Sequence, residues 1–177
     1  MSVTEAVGHA QPAAQTAGTA APQSAAGSSA SSSHLALMVG EDRYLVDLAE
    51  AGEIVPVPPS SIQQVPLTRD WFLGVVNVRG ALFTVVDLAR FMGGSFTPLS
   101  KESRLLTMSP ALAFNATLVV TRMLGLRNSA TMTPLDENPA LDKPWLTELY
   151  RDGEGQIWRR LSLSKLVAAS AFLMVGR

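Results

Sequence analysis

The protein has 177 residues, with 14 Lys and Arg against 15 Asp and Glu and a formal net charge of −1. It has no cysteine and only two histidines, His9 and His34, so disulfides, cysteine nucleophiles and Cys/His zinc sites are excluded, and a Ser-His-Asp triad would have to use one of those histidines. Because a nearly neutral chain has no strong attraction for phosphate backbones or anionic membrane surfaces, we expect no nucleic acid partner. No segment approaches the roughly 18 uncharged apolar residues of a membrane span, so we also expect no membrane insertion.

The N-terminal segment differs in composition from the rest. Met1–Ser33 contains ten Ala, seven Ser, one charged residue and no aromatic residue. Such a segment cannot bury enough apolar surface to offset the entropy lost on ordering, and it lacks the pattern of a secretory signal. We therefore expect a disordered tail at 1–33 and a folded domain at 34–177 in a cytoplasmic protein. His9 in the tail and His34 at the domain edge are both expected to be solvated and without a chemical role.

After the tail, short apolar runs alternate with turn residues about every ten positions, which is typical of an all-β barrel or sandwich. The first two runs, Leu35–Val39 and Tyr44–Leu48, predict a hairpin. A third strand, Gly52–Val57, is expected to end at Pro58-Pro59, because proline cannot donate a hydrogen bond to a strand ladder. A loop to about Arg69 follows.

The most informative stretch is Gly74–Asp87, in which two nearly continuous apolar runs are separated by Arg79-Gly80. Such runs are typical of strands that are buried on both faces. Since Gly80 can adopt the positive φ of a tight turn, the stretch predicts a hairpin. Asn77 and Arg79 are its only long polar side chains. Arg79 could simply point into solvent, but its planar guanidinium is also suited to anchoring an interface among apolar residues.

The rest of the chain continues this alternation. Asp87 is expected to cap a short helix that ends at Gly93-Gly94, and Ser162 is expected to cap another. Between the two helices we predict four strands and one mixed region of strand and long loop: the strands are Leu105–Met108, Ala116–Val120, Trp145–Tyr150 and Ile157–Leu161, and the mixed region is Leu124–Lys143.

Two segments share one pattern. Leu82–Met92 and Ile157–Val167 each combine a strand, a capping residue and a short helix with one basic residue, at an offset of 75 residues. Because the offset is about half of the predicted domain, it indicates two related β-subdomains of about five strands each, with a groove between them.

Catalytic and nucleotide-binding motifs are weak. The closest carboxylate pairs, Asp136-Glu137 and Asp152 with Glu154, fall in turns where acidic residues need no catalytic explanation. No phosphate-binding loop is present, and we expect no cofactor and no metal. Two alternatives stay open: a hydrolase that uses these carboxylates, and an SH3- or OB-like barrel that binds single-stranded nucleic acid through Trp158 with Arg159-Arg160.

Several motifs together resemble the CheW family of chemotaxis coupling proteins. The most specific is a Gly-x-x-Asn-x-Arg-Gly hairpin followed by Val-Val-Asp-Leu. The matching pieces lie within Leu35–Val175 and are Tyr44–Asp47 with Glu53-Ile54, Gly74–Gly80, Thr84–Leu88 and, more loosely, Ala116–Val120. In addition, Trp71–Gly74 and Leu149–Gly153 with Trp158 are similar to family members that serve chemotaxis-like pathways controlling type IV pili.

The resemblance implies an all-β fold with two five-stranded, SH3-like β-barrel subdomains around a shared core, and short helices after the strands. It also implies a non-catalytic adaptor that couples a methyl-accepting chemoreceptor to a CheA-type histidine kinase and controls type IV pilus twitching motility or, alternatively, flagellar chemotaxis. By motif, the receptor-binding residues are Ala51, Gly74, Asn77 and Arg79, and the kinase-binding residues are Glu53, Ile54 and Val55. No contacts are implied for 57–69 and 124–143, which match the family poorly.

Overall fold

The computed structural model describes residues 32–58, 61–137 and 142–177. The predicted tail lies outside the described residues as far as position 31. Eleven strands form in the described ranges: β1 Ser33–Val39, β2 Asp42–Asp47, β3 Ala51–Pro56, β4 Phe72–Val78, β5 Ala81–Asp87, β6 Arg104–Met108, β7 Ala116–Val120, β8 Arg122–Asn128, β9 Thr133–Leu135, β10 Leu146–Arg151 and β11 Ile157–Leu161. The helices described are α1 Leu88–Phe91, α2 Leu163–Ala168 and α3 Ser170–Leu173, with 3-10 turns at Pro110–Leu112 and Ser129–Thr131.

The strands form two sheets, as the internal repeat predicts. One has six strands in the order β8-β1-β2-β11-β10-β9, and the other has five in the order β3-β6-β7-β5-β4. The all-β prediction and the division into two subdomains are confirmed. Strand pairing within the described residues leaves both sheets open at their edges, so each subdomain is an open sheet rather than a closed five-stranded barrel.

The two repeated segments occupy equivalent places in the two sheets. Each supplies a strand that pairs in parallel, β5 with β7 and β11 with β2. Each then enters a capped helix, because Asp87 Oδ1 accepts from the Arg90 amide at 3.2 Å and Ser162 Oγ accepts from the Lys165 amide at 3.3 Å. Both predicted caps are confirmed.

One hydrophobic core extends across both sheets and includes an aromatic cluster. In this cluster Phe91 packs against Trp71, Trp145 and Phe172, with ring centroids 5.1, 5.3 and 5.4 Å apart. Aromatic pairs at such distances add about 0.5–1.5 kcal/mol each beyond the burial of their area. The cluster therefore ties the middle of the chain to its C-terminal end.

The five-stranded sheet is buried on both faces, as its continuous apolar runs predict. In β5, Val86 contributes to the common core, and its neighbour Val85 contributes to a second cluster on the opposite face. Successive residues of a strand point to opposite faces, so a strand with two buried faces needs an unbroken apolar sequence.

The prediction that His34 is solvated is wrong. His34 is 1% exposed and lies in an interior strand, paired with Asp47 of β2 on one side and Arg127 of β8 on the other. Its Nδ1 is 2.9 Å from the Ser32 carbonyl oxygen, and its Nε2 is 3.2 Å from Asp47 Oδ1 without the alignment of a hydrogen bond. The sequence does not predict this burial, because β8, which covers one side of His34, lies in a region with only a weak strand pattern.

Candidate functional site

The predicted hairpin is formed by β4 and β5, with Val78 paired to Ala81 across a two-residue turn. Both turn residues have positive φ, 50° at Arg79 and 87° at Gly80. A two-residue turn of type I′ requires this combination. The turn predicted at Gly80 is confirmed, and Arg79 lies at its tip with 77% of its side chain exposed.

Asn77 has a structural contact that the sequence does not reveal. Its Oδ1 accepts a hydrogen bond from the Gly80 amide at 2.9 Å, which links the residue before the turn to the turn itself. The Asn77 side chain is exposed. It therefore fixes the position of Arg79 and stays accessible to a partner.

Gly74, predicted to face the receptor, is buried and has a φ of 137°. The backbone of Gln63 pairs with Val75 at this point through two hydrogen bonds of 2.8 and 2.9 Å. A Cβ at position 74 would overlap the Gln63 carbonyl oxygen. Glycine is thus needed for the Gln63 segment to cover the edge of β4, and Gly74 supports the hairpin from beneath.

The predicted kinase-binding residues lie on β3, an edge strand of the five-stranded sheet. Glu53 and Ile54 are exposed, Ile54 to 42%, whereas Val55 packs partly against the second apolar cluster. A bulge lies between Ala51 and Ile54, and inside it the Glu53 amide donates to Thr107 Oγ1 at 2.7 Å. Ala51 is half-buried against the common core. Of the three predicted kinase-binding residues, Glu53 and Ile54 are therefore the ones whose side chains β3 presents outward.

An ion pair joins the two predicted sets of residues. Arg79 Nε lies 2.7 Å from Glu53 Oε2. Glu53 is on β3 and Arg79 is in the turn after β4, and these strands are at opposite ends of the five-stranded sheet. The sheet curls enough for side chains of both strands to share the second apolar cluster and for this ion pair to form. The pair borders a shallow cavity of about 270 Å³, which we call the Glu53–Arg79 groove; its lining is Gly52, Glu53, Val78, Arg79, Ala81, Phe83, Thr107, Met108 and Pro110.

Large apolar side chains are exposed on the hairpin and on β3, close in sequence to Arg79 and Glu53. Leu82 on the hairpin is 61% exposed, and Ile54 on β3 is 42% exposed. An ion pair in solvent contributes only about 0–1 kcal/mol, so breaking it costs little. Glu53 and Arg79 can therefore separate and bind groups on a partner instead. Apolar contacts around an exchangeable guanidinium are typical of a protein–protein interface.

The residues that suggested nucleic acid binding already have partners within the six-stranded sheet. Trp158 is 2% exposed, and its indole Nε1 donates to Asp152 Oδ2 at 2.9 Å. Arg159 and Arg160 both form ion pairs with carboxylates of neighbouring strands. A buried indole cannot stack on a base, so Trp158 gives no support to the binding of single-stranded nucleic acid.

Asp152, one of the carboxylates that suggested a hydrolase, holds its own turn together. Asp152 Oδ1 accepts hydrogen bonds of 2.9 Å from the amides of Glu154 and Gln156. The hydrogen bond from the Trp158 indole, with these backbone bonds, holds the pKa of Asp152 below its ordinary value. Asp152 is therefore a structural carboxylate and not a proton donor at neutral pH.

These features are those of a scaffold of the CheW type, and the chain belongs to the CheW-like domain family, which it matches over residues 33–171. Proteins of this family act as scaffolds. The chain is similar to the protein PilI of Pseudomonas aeruginosa, with 29% identity over 147 residues that make up 81% of this chain and 80% of that protein. The crystal structure of the scaffolding protein TtCheW from Thermoanaerobacter tengcongensis matches with a TM-score of 0.63 at 20% identity, covering 78% of this chain and 94% of that chain.

The structural match confirms the fold that the sequence motifs imply. It covers nearly all of TtCheW, so both subdomains are included. In the part of the chain that the structure describes, no helix has the length and apolar character needed to cross a membrane.

Proposed function

We propose that this protein is a cytoplasmic, non-catalytic adaptor that couples a methyl-accepting chemoreceptor to a CheA-type histidine kinase. The observation that carries the proposal is the Glu53–Arg79 ion pair, because it puts the residues assigned by motif to the two partners on one continuous surface. Coupling between two binding events needs an element whose state both partners influence. A solvent-exposed ion pair that either partner can break is such an element.

On the receptor side, Arg79 and Asn77 are the groups that would contact the partner. Arg79 offers a planar fork of N–H donors that matches carboxylates and carbonyl oxygens at the tip of a receptor hairpin. Gly74 and Ala51 would act indirectly, since Gly74 is buried beneath the hairpin and Ala51 is half-buried at the start of β3.

On the kinase side, the free edge of β3 would carry the contact. Ile54 supplies an exposed apolar anchor, and Glu53 supplies a charge beside it. An exposed strand edge pairs readily with a strand of another domain, and the regulatory domain of a CheA-type kinase has a similar fold.

We further propose that the pathway controls type IV pilus twitching motility. The similarity to PilI over most of both chains supports this output. Deleting the gene should abolish twitching and leave swimming intact, and the wild-type gene should restore twitching. Loss of swimming alone would assign the adaptor to flagellar chemotaxis instead.

Binding measurements on the purified chain test the proposed contacts. We expect Arg79→Ala to weaken binding of a receptor cytoplasmic fragment and Ile54→Asp to weaken binding of the kinase regulatory domain. Arg151→Ala is the matched control, because Arg151 is an exposed arginine on β10 in the other sheet. If the folded wild-type chain binds neither partner, the proposal is wrong.

A further inference from the structure

A second cavity, of about 690 Å³, lies between the two subdomains and apart from the Glu53–Arg79 groove. One wall is the turn between β1 and β2 with the first residues of β2, and the other is the end of α1 with the segment Gly93–Pro98. Its volume is in the range of small-molecule sites, which often form where two structural units meet. We call it the Tyr44 cleft, after the residue that links its lining to the core.

Tyr44 brings a phenol hydroxyl to the cleft. The residue is 3% exposed and its ring belongs to the common core, yet it lines the cleft. Its hydroxyl makes no hydrogen bond to any residue that the structure describes. Burial, together with the nearby Asp42 carboxylate, raises the pKa of Tyr44 to about 12, so the phenol stays neutral and is free to accept or donate a hydrogen bond.

The charged side chains that line the cleft are all acidic. Glu41 and Asp42 are among its lining residues, which include no Lys, Arg or His. Asp42 shares a face of β2 with Tyr44. Its Oδ1 lies 2.9 Å from Arg159 Nη1, and this guanidinium, which is near the Tyr44 hydroxyl, offsets the charge of Asp42. Glu41 is exposed and has no ion pair among the described residues. The charge left for a ligand is therefore negative.

The cleft also presents an aromatic ring that already attracts a cation. Phe96 is 52% exposed, and the Arg90 guanidinium lies 5.0 Å from the centroid of its ring. Arg90 is held there by an ion pair with Asp70. A cation within about 6 Å of an aromatic face gains stabilisation that grows as water is excluded.

We propose that the Tyr44 cleft binds an organic cation, an ammonium or guanidinium group on a slender aliphatic chain. Glu41 supplies the counter-charge, Phe96 supplies the ring face opposite Arg90, and the Tyr44 hydroxyl accepts a hydrogen bond from the cation. Such a group is present on free amines and on arginine or lysine side chains of a peptide. The site is independent of the proposed adaptor contacts, because it shares no lining residue with the Glu53–Arg79 groove.

The chain carries two tyrosines, which makes the test specific. With ring-labelled tyrosine in the full-length protein, NMR gives one set of signals for Tyr44 and a reference set for Tyr150, which lies outside the cleft. The probes are n-butylguanidinium, a blocked Gly-Arg-Gly peptide, and pentanol as a neutral molecule of similar length. We expect a saturable shift of the Tyr44 signals with a charged probe, no shift at Tyr150, and no saturable shift with pentanol.

Variants that keep the Tyr44 reporter complete the experiment. Glu41→Gln and Phe96→Leu should each weaken binding of the charged probe by about threefold or more. Glu154→Gln, an exposed carboxylate in a distant turn, should not change it. If the peptide binds more tightly, the natural ligand is a side chain of a partner protein. If butylguanidinium binds more tightly, the natural ligand is a free small-molecule cation. The proposal is overturned if neither charged probe shifts Tyr44, or if pentanol shifts it equally.

Discussion

Arg79 is positioned by the backbone more than by its ion pair. Its φ of 50° and the hydrogen bond that the Gly80 amide donates to Asn77 set the direction of the side chain. The ion pair with Glu53, in contrast, is open to solvent. A non-glycine residue in the left-handed region costs on the order of 1 kcal/mol or more, and it persists only where its surroundings hold it there. The turn therefore presents the guanidinium outward at some cost to stability, which is typical of a binding residue.

Asn77→Ala tests this positioning. Losing the hydrogen bond to the Gly80 amide should lower the free energy of unfolding by about 1 kcal/mol and the melting temperature by about 3 °C. Receptor binding should weaken as well, because Arg79 is then held less firmly. Asn115→Ala is the control, since the Asn115 side chain is exposed and makes no hydrogen bond to the described residues. Thermal melting of both variants checks the prediction, and equal midpoints would contradict it.

At the scale of elements, the edge of β4 is covered because Gly74 lets the Gln63 backbone approach. Gly74→Ala should cost about 2 kcal/mol or more, since the new Cβ overlaps the Gln63 carbonyl oxygen at a φ of 137° that other residues rarely adopt. Amide hydrogen exchange at Gln63 and Val75 should accelerate as their pairing is lost. Gly153→Ala is the matched control, because nothing lies within 4 Å of a Cβ there. Unchanged exchange in a folded Gly74→Ala protein would contradict this account.

The edge of β3 is the second element with a prediction. Ile54→Asp should leave the fold intact, because Ile54 is 42% exposed, and should weaken kinase binding by about 2 kcal/mol, the loss typical of a buried interface anchor. Leu126→Asp is the control, since Leu126 is 64% exposed on β8 of the other sheet. Titration calorimetry with the kinase regulatory domain measures both. Equal affinities for the two variants would remove β3 from the interface.

At the scale of the whole molecule, the local features of the sequence predict the fold well. The two-residue turn at Arg79-Gly80, the caps at Asp87 and Ser162 and the two-faced burial of β5 follow from backbone sterics, hydrogen bonding and apolar patterning. These are properties of neighbouring residues. The sequence therefore predicts the hairpin and its exposed arginine directly.

Contacts between distant segments could not be predicted in the same way. The Glu53–Arg79 pair depends on the curl of a five-stranded sheet, and the burial of His34 depends on β8, more than 85 residues away. Gly74 has no sequence signal for its role, because the Gln63 segment that needs it lies in a loop rich in proline and serine. These features depend on which distant segments meet in the folded chain. The periodicity of a single sequence does not contain that information.

The composition of residues 1–31 predicts that this segment adds nothing to the stability of the folded domain. A chain shortened to begin at Ser32, whose carbonyl oxygen accepts from the Ser129 amide at 2.8 Å, should keep the same melting temperature and kinase affinity. A drop of several degrees, or a tenfold loss of affinity, would show that the segment is ordered or functional.

Kinase activity in a mixture of receptor-containing membranes, CheA-type kinase and the purified chain tests the adaptor role most directly. The wild-type chain should make autophosphorylation of the kinase respond to the receptor, and Arg151→Ala should behave in the same way. Arg79→Ala should melt like the wild type and yet lose the response, because an interface guanidinium typically contributes about 2–4 kcal/mol. Arg79→Lys should also be impaired, since an ammonium lacks the planar fork. A wild-type chain without effect on the kinase, or a folded Arg79→Ala protein with a normal response, would contradict the account.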